Sequence, residues 1–231
     1  SISAGSIPGT VVFVDNAGDP VADAIVYCDC RARYQDRIFE KNFRRYDDDF
    51  HIPWRYMALP KILWLKYNRP DLYNSIFRIL TPEAYLSYRL CGEADIDSYT
   101  AAFFGYDTKS SSYNTKLLSG IGIDVRLLPQ VGNVGECAGM IAGEARERLG
   151  LKYDVRFILS SNSIINLSRI QQRKNHLFYD AGSSLIIYMN GFAKVRRDSE
   201  LIRLPAMDKG SFVYCYIGSG EMRFLKYIVH S

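Results

Sequence analysis

The stretch that decides the fold reads K-I-L-W-L-K-Y-N-R-P and occupies residues 61–70. Its apolar residues predict a helix, and Pro70 ends that helix because proline lacks an amide donor and restricts the residue before it. A second helix is predicted to begin after Thr81, whose hydroxyl can cap it, with Pro82 in the first helical position. Gly92 is expected to end this second helix. On their own, these residues predict two helices of a core and indicate no chemistry.

The composition limits the classes of partner. With 231 residues, of which 48% are hydrophobic, the chain can form one large domain or a domain and part of a second around a sizeable core. The formal net charge is only +4, and the basic residues are spread along the chain rather than gathered in the dense stripe of a nucleic-acid-binding protein. No apolar run approaches the ~18 residues of a membrane helix, and no signal peptide is recognisable. We therefore expect no nucleic-acid partner and no membrane partner.

The cysteines and acidic clusters do not predict a metal site. Cys28-Asp29-Cys30 is a single C-x-C motif without a second cysteine pair or a nearby histidine. The three aspartates at residues 47–49 are interpreted as a solvated acidic loop, because neighbouring side chains in a chain diverge in space. Free thiols are typical of a reducing compartment, so we expect a cytoplasmic protein.

The order of predicted elements indicates an α/β protein. Residues 10–15 and 21–27 have the composition of two strands, and the turn-forming residues 16–19 between them predict a hairpin. Further helices are predicted over residues 31–45 and 142–149, and further strands over residues 155–159, 185–189 and 211–217, with a turn at Asn190-Gly191. Helices interspersed with strands in this way are typical of layered α/β domains.

Three strings of residues together carry a family resemblance. They are K-I-L-W-L-K-x-N-x-P at residues 61–70, L-S-Y-R-L-x-G-E at residues 86–93 and D-I-D-S at residues 95–98. They resemble the first domain of the FGGY carbohydrate kinases, the relatives of xylulose kinase and glycerol kinase. The resemblance implies a ribonuclease-H-like fold of the actin-like ATPase superfamily. Residues 1–159 would be the sugar-binding N-terminal domain without its phosphate-binding hairpin, and residues 160–231 the hinge and the start of a second, similar domain on the nucleotide side.

The resemblance also implies a substrate site. In the family two segments line the sugar pocket, and the match places Ser6, Ile7 and Pro8 in the first and Asp29 and Arg31 in the second. Ser6, Ile7 and Pro8 stand where the family has Gln, Met and His, and the side chains of Ile and Pro offer no polar group to a polyol. The residues alone leave a second interpretation of Asp29 and Arg31, namely an ordinary ion pair or a helix cap at the end of a strand.

For catalysis and nucleotide binding the resemblance implies two further sites. The family's catalytic aspartate, which takes the proton from the attacking sugar hydroxyl, corresponds to Ser163. A serine hydroxyl is a very weak base at neutral pH, and general base catalysis typically contributes ~10²–10⁴-fold. The family's G-T-S, which touches the nucleotide phosphates, corresponds to Gly182, Ser183 and Ser184, whose amides and hydroxyls suit phosphate oxygens. The implied cofactor is MgATP, unless this chain uses none.

Two functions follow, and whether the chain is an enzyme stays open. In the first, it is an incomplete part of an ATP-dependent sugar or polyol kinase and is inactive alone. In the second, it is a catalytically dead relative, a pseudokinase that serves as a binding or regulatory module. Ser163, Ile7 and Pro8 favour the second, because truncation cannot explain internal substitutions. Either way we expect a sugar or polyol as the partner, and either is compatible with a homodimer. A nucleic-acid or structural role ranks third.

Overall fold

The computed structural model describes residues 1–6, 8–43, 52–108 and 110–160, together with four later strands. The chain divides into two compact units. Unit 1 comprises Ser1–Asp47 and Trp54–Ile165, and unit 2 comprises Asp48–Pro53 and Asn166–Ser231. The domain boundary predicted between residues 159 and 160 stays a prediction.

Unit 1 mixes short strands with helices, as predicted. Its strands are β1 (Ile2–Ser3), β2 (Val12–Val14), β3 (Arg78–Leu80), β4 (Asp95–Asp97), β5 (Tyr106–Asp107), β6 (Ser112–Tyr113), β7 (Gln130–Gly132), β8 (Cys137–Met140) and β9 (Arg156–Ile158). Its helices are α1 (Arg33–Asn42), α2 (Leu59–Asn68), α3 (Pro70–Asn74), α4 (Pro82–Cys91), α5 (Ser98–Ala102), α6 (Thr115–Gly120) and α7 (Gly143–Arg148), with 3₁₀ turns at Trp54–Tyr56 and Val125–Leu127.

Pairs of strands that are far apart in the chain hold this unit together. The strand β1 runs parallel to β9, with Ile2 opposite Phe157, and β8 pairs with the other edge of β9 in an antiparallel arrangement. The strands β4 and β7 are parallel, whereas β2–β3 and β5–β6 are antiparallel. The core between these strands and the helices is apolar, and its fully buried members include Phe13, Phe39 and Phe104.

The two helices predicted from the deciding stretch are confirmed. Helix α2 ends at Asn68, and Pro70 begins the short helix α3. Thr81 caps α4, because its Oγ1 accepts a hydrogen bond of 3.2 Å from the amide of Ala84. At the other end Gly92 adopts φ +80° and stops the helix. Helices α1 and α7 and strands β9 and β13 (below) also lie where the sequence predicts them, although residues 44 and 45 of the predicted first helix fall outside the described residues.

The predicted hairpin of residues 10–15 with residues 21–27 is only partly correct. The turn forms, since Asp15 Oδ1 accepts hydrogen bonds of 2.9 and 3.0 Å from the amides of Ala17 and Asp19. The second strand does not form; its residues contact the first through an isolated bridge between Ile25 and Val11 and a hydrogen bond from Tyr27 to Thr10. Pro20 cannot donate a ladder hydrogen bond. The regular partner of β2 is β3 instead, a strand more than 60 residues further along the chain.

Unit 2 contains a four-stranded antiparallel sheet. Its strands are β10 (Leu177–Ala181), β11 (Leu185–Gly191), β12 (Ile202–Pro205) and β13 (Phe212–Gly218), in the order β10-β11-β13-β12. The turn predicted at Asn190-Gly191 is wrong, because both residues belong to β11 and pair with β13. Asn-Gly is a frequent hairpin turn, but here the two residues are opposite Val213 and Phe212 and so extend β11 to its end.

None of the helices in the described ranges is both long and apolar enough to cross a lipid bilayer.

Candidate functional site

Asp29 and Arg31 form a tight pair at the surface of unit 1. Arg31 donates from Nη2 at 2.8 Å and from Nε at 2.9 Å to Asp29 Oδ2, and its backbone amide donates at 2.9 Å to Oδ1. The side-chain hydrogen bond from Arg31 is the main reason that the pKa of Asp29 lies below its usual value. The side chain of Asp29 is 18% exposed and that of Arg31 41%, so both groups can meet a ligand from solvent.

Helix α2 contacts this pair through the side chain of Trp64. The guanidinium of Arg31 lies over the ring of Trp64, with 5.0 Å between Cζ and the ring centroid. Lys61 lies three residues before Trp64 and therefore on the same side of the helix. The deciding stretch of sequence thus supplies the platform on which the D-x-R motif rests.

Lys61 is a buried cation beneath the pair. It is 1% exposed, and its Nζ donates hydrogen bonds to the carbonyl oxygens of Met57 (2.8 Å) and Arg55 (3.1 Å). Burial lowers the pKa of Lys61 to about 8, although the negative charges of Asp36 and Asp29 oppose that shift. Burial likewise raises the pKa of Asp36, on α1, to about 6. The carboxylates of Asp29 and Asp36 and the ammonium of Lys61 therefore interact electrostatically.

Residues 4–9, here called the 4–9 segment and described except for Ile7, lead into Thr10 and Val11, which contact the chain that precedes Asp29. Val11 and Ile25 exchange two backbone hydrogen bonds of 2.9 Å, and the amide of Tyr27 donates to Thr10 Oγ1 at 3.2 Å. Pro8, which is half-buried, lies two residues before Thr10, and Tyr27 lies two residues before Asp29. The grouping of Ser6, Ile7 and Pro8 with Asp29 and Arg31 in one sugar site stays a prediction.

The 4–9 segment meets fixed parts of the unit at both ends. Ser6 Oγ donates a hydrogen bond to Oε2 of Glu83, a residue that is only 6% exposed. Burial raises the pKa of Glu83, and the hydrogen bond from Ser6 partly opposes this shift. At the other end Gly9 has φ +82° and passes so close to Tyr56 that a Cβ on Gly9 would lie 1.9 Å from the Tyr56 carbonyl oxygen.

A second D-x-R motif shows which features of the Asp29–Arg31 pair belong to the motif and which to its surroundings. Asp124 and Arg126 repeat the arrangement of the first pair, including the hydrogen bond of 2.9 Å from the arginine amide to Asp Oδ1. Like the first pair, it lowers the aspartate pKa through the side-chain hydrogen bond. It lies beside a separate cavity of about 680 Å³ that is lined by residues such as Arg78 and Tyr113 and by none of the predicted site residues. The platform and the 4–9 segment, rather than the motif itself, distinguish Asp29 and Arg31.

Comparison with known proteins identifies the chain. Residues 1–162 match the model of the FGGY family of carbohydrate kinases, N-terminal domain. The chain belongs to the FGGY family of carbohydrate kinases. Similar FGGY proteins include the xylulose kinase of Staphylococcus xylosus, 25% identical over 155 residues, and the autoinducer-2 kinase of Escherichia coli strain K12, 25% identical over 170 residues. These matches cover 65% and 71% of this chain, which spans about a third (32%) of each relative.

Solved FGGY structures share the fold. The ligand-bound xylulose kinase of Lactobacillus acidophilus superposes with a TM-score of 0.79 at 18% identity, over 91% of this chain and 44% of that protein. The glycerol kinase of Plasmodium falciparum with ADP gives 0.77 at 17% identity, over 98% of this chain and 48% of that protein. The family recognised from the sequence and the predicted fold class, that of the actin-like ATPase superfamily, are confirmed.

Several predicted site residues have no described placement. Ile7, Ser163 and Gly182 to Ser184 lie outside the described residues. FGGY kinases in general use ATP with Mg²⁺, and within the described ranges no group of three or more His, Cys, Asp or Glu side chains is arranged to hold a metal ion.

Sequence reasoning missed three residues around this site, namely Lys61 and Asp36, which interact electrostatically with Asp29 or with each other, and Glu83, which contacts Ser6. A signal existed for Lys61, because it is a lysine within an otherwise apolar stretch that opens the family motif of an FGGY protein. The sequence does not single out Glu83, because the helix dipole alone favours an acidic residue in the first turn of a helix. Asp36 carries no signal that separates it from the other charges of α1.

Proposed function

We propose that this chain is the sugar-binding part of an FGGY kinase, holding a sugar or polyol where the 4–9 segment adjoins Asp29 and Arg31. The single observation that carries the proposal is the half-exposed Asp29–Arg31 pair, whose guanidinium lies over the ring of Trp64. A carboxylate accepts hydrogen bonds from hydroxyl groups and a guanidinium donates to them, so the pair can contact neighbouring hydroxyls of one substrate.

Phosphoryl transfer by the chain alone is not part of this proposal. Such transfer depends on positioning and on charge stabilisation around MgATP. We assign the phosphate contacts to Gly182, Ser183 and Ser184, and the place of the family's base to Ser163, from the resemblance. With serine at that place, the deprotonation of the sugar hydroxyl lacks its usual acceptor. ATP-dependent phosphorylation would then need groups beyond those named here.

A second function, that of a catalytically dead sugar-binding or regulatory module, is favoured by specific residues. Ile7, Pro8 and Ser163 stand where the family has Met, His and the catalytic Asp, and truncation cannot explain such internal differences. Such a module would keep the pair of Asp29 and Arg31 and bind a sugar without turnover. Both functions therefore predict sugar binding, and they differ in whether a longer form of the protein releases ADP.

The second D-x-R motif supplies a matched control for the test. Isothermal calorimetry with pentuloses and with glycerol would compare the wild type with Asp29→Asn and Asp124→Asn. Hydrogen bonds to a charged group typically contribute ~1.5–3 kcal/mol, so we expect Asp29→Asn to weaken binding about 10-fold to 100-fold. Asp124→Asn should leave the affinity unchanged. Equal losses in both variants, or no heat from a folded wild type with any sugar, would refute the proposal.

A further inference from the structure

A buried carboxyl group meets the 4–9 segment from a distant part of the chain. Glu83 follows directly on β3, and Thr81 and Pro82 fix its place in the first turn of α4. Because β3 pairs with the fully buried strand β2, this turn is anchored in the core. The carboxyl group of Glu83 therefore sits on a rigid support, and Ser6 reaches it across 77 positions of sequence.

The environment of Glu83 makes that contact unusual. Of its two carboxyl oxygens, Oε2 accepts the hydrogen bond from Ser6, whereas Oε1 is buried and has no hydrogen-bond partner among the described residues. Asp97, the buried cap of α5, lies near enough to act on it electrostatically. A buried carboxyl group costs free energy unless it is hydrogen-bonded, so the contact with Ser6 offsets part of the cost of burying Glu83.

The hydroxyl group of Ser6 is committed to this contact. A serine hydroxyl carries a single donor hydrogen, and Ser6 gives it to Glu83. Gly9, at the other end of the segment, is wedged against the carbonyl of Tyr56. Ser6 and Gly9 are thus both held by residues of unit 1, Glu83 and Tyr56, that do not belong to the predicted sugar site.

We propose that Glu83 is a positioning residue for the sugar site. Its carboxyl group fixes Ser6 and thereby orients the 4–9 segment, and Ser6 acts by holding the segment rather than by binding the sugar. The effect on sugar binding rests on the proposed function, whereas the anchoring of the segment does not. The expected test therefore has one arm that needs no sugar and one that does.

The arm without sugar uses glycine resonances. In protein labelled with ¹⁵N-glycine, Gly5 and Gly9 report on the segment although they lie far from Glu83 in the sequence. We expect Glu83→Ala to move both resonances and Glu83→Gln, which keeps an acceptor oxygen, to restore them. Adding Glu83→Ala to Ser6→Ala should cause no further change at Gly9, because the link is already cut. Glu144→Ala is the matched control, since Glu144 occupies the first turn of α7 but is exposed.

The arm with sugar measures affinity for the pentulose or glycerol that binds the wild type. One lost hydrogen bond is worth ~1 kcal/mol, so Ser6→Ala and Glu83→Ala should each weaken binding by about 5-fold to 10-fold, with Glu83→Gln near wild type. Unchanged glycine resonances in Glu83→Ala would overturn the anchoring. Altered resonances with unaltered affinity would overturn the positioning role. Altered resonances with no sugar bound by the wild type would refute the proposed function and leave the anchoring in place.

Discussion

Replacing Gly9 by alanine tests how closely the 4–9 segment approaches the rest of unit 1. An alanine there meets two costs. Its φ of +82° lies in the left-handed region, which costs an L-residue ~1–2 kcal/mol. Its Cβ would also lie 1.9 Å from the Tyr56 carbonyl oxygen and 3.0 Å from the carbonyl carbon, so backbone atoms must move by more than an ångström.

The size of the second cost follows from the partner atom. Overpacking in a tight site typically costs ~1–3 kcal/mol, and a backbone carbonyl cannot swing aside as a flexible side chain does. The total expected loss of unfolding free energy for Gly9→Ala is therefore about 2–5 kcal/mol. Gly92→Ala is the control, because Gly92 has φ +80° and a Cβ added there would meet no other atom within 4 Å. It should lose only the conformational part, about 1–2 kcal/mol.

Urea and thermal unfolding of the two variants measure the difference. For a chain of this size 1 kcal/mol corresponds to about 2–4 °C in Tm, so Gly9→Ala should melt several degrees below Gly92→Ala. The displaced Tyr56 lies between Arg55 and Met57, whose carbonyl oxygens hold Lys61, so the sugar affinity of Gly9→Ala should fall as well. Equal destabilisation by the two substitutions would show that Gly9 does not contact Tyr56 as described.

Three further predictions concern pH, thiols and catalysis. Burial raises the pKa of Asp36 from 3.8 to about 6, so its contribution to stability is present below about pH 3.8 and is lost as the pH rises to about 6. In urea unfolding, the stability of Asp36→Asn relative to the wild type should therefore increase by about 1 kcal/mol between pH 4 and pH 7. A stability difference that stays constant over this range would contradict the prediction. Cys28 and Cys30 are exposed on either side of Asp29, so a bound sugar should slow their alkylation by iodoacetamide. Cys137, which is also exposed, should react at an unchanged rate. Equal protection of all three thiols would argue against the site. Ser163→Asp should yield little turnover in a coupled ADP-release assay, because the missing base is a smaller deficit than the positioning of MgATP. Clear sugar-dependent turnover by the unmodified chain would show that the assignment of Ser163 is wrong or that another residue serves as the base.

Local signals made much of the fold predictable. The ends of α2 and α4 follow from Pro70, Thr81 and Gly92, because capping and helix termination depend on residues within one turn. The choice of β3 as the partner of β2 was not predictable in this way, since a strand's pairing depends on segments far away in the chain.

The residues of the candidate site show the same difference between local and long-range determinants. The resemblance pointed to Asp29 and Arg31, and their mutual contact needs only two positions of separation. The roles of Lys61 and Glu83 depend on burial, which arises from the packing of several elements and is not encoded in any one of them. A charged residue in a helix is normally solvated, so the apolar stretch around Lys61 was a signal of burial for that residue, and Glu83 had none.

The pairing of β1 with β9 has a consequence for how unit 1 acquires its shape. Ile2 meets Phe157, so the strand that leads into the 4–9 segment cannot be completed until almost the whole unit has been synthesised. Contacts so distant in sequence close large loops and form slowly, whereas α2 and α4 can form from neighbouring residues. During synthesis on the ribosome, helix α2 can therefore form before the 4–9 segment is in place, and the proposed sugar site would be completed only at a late step of folding.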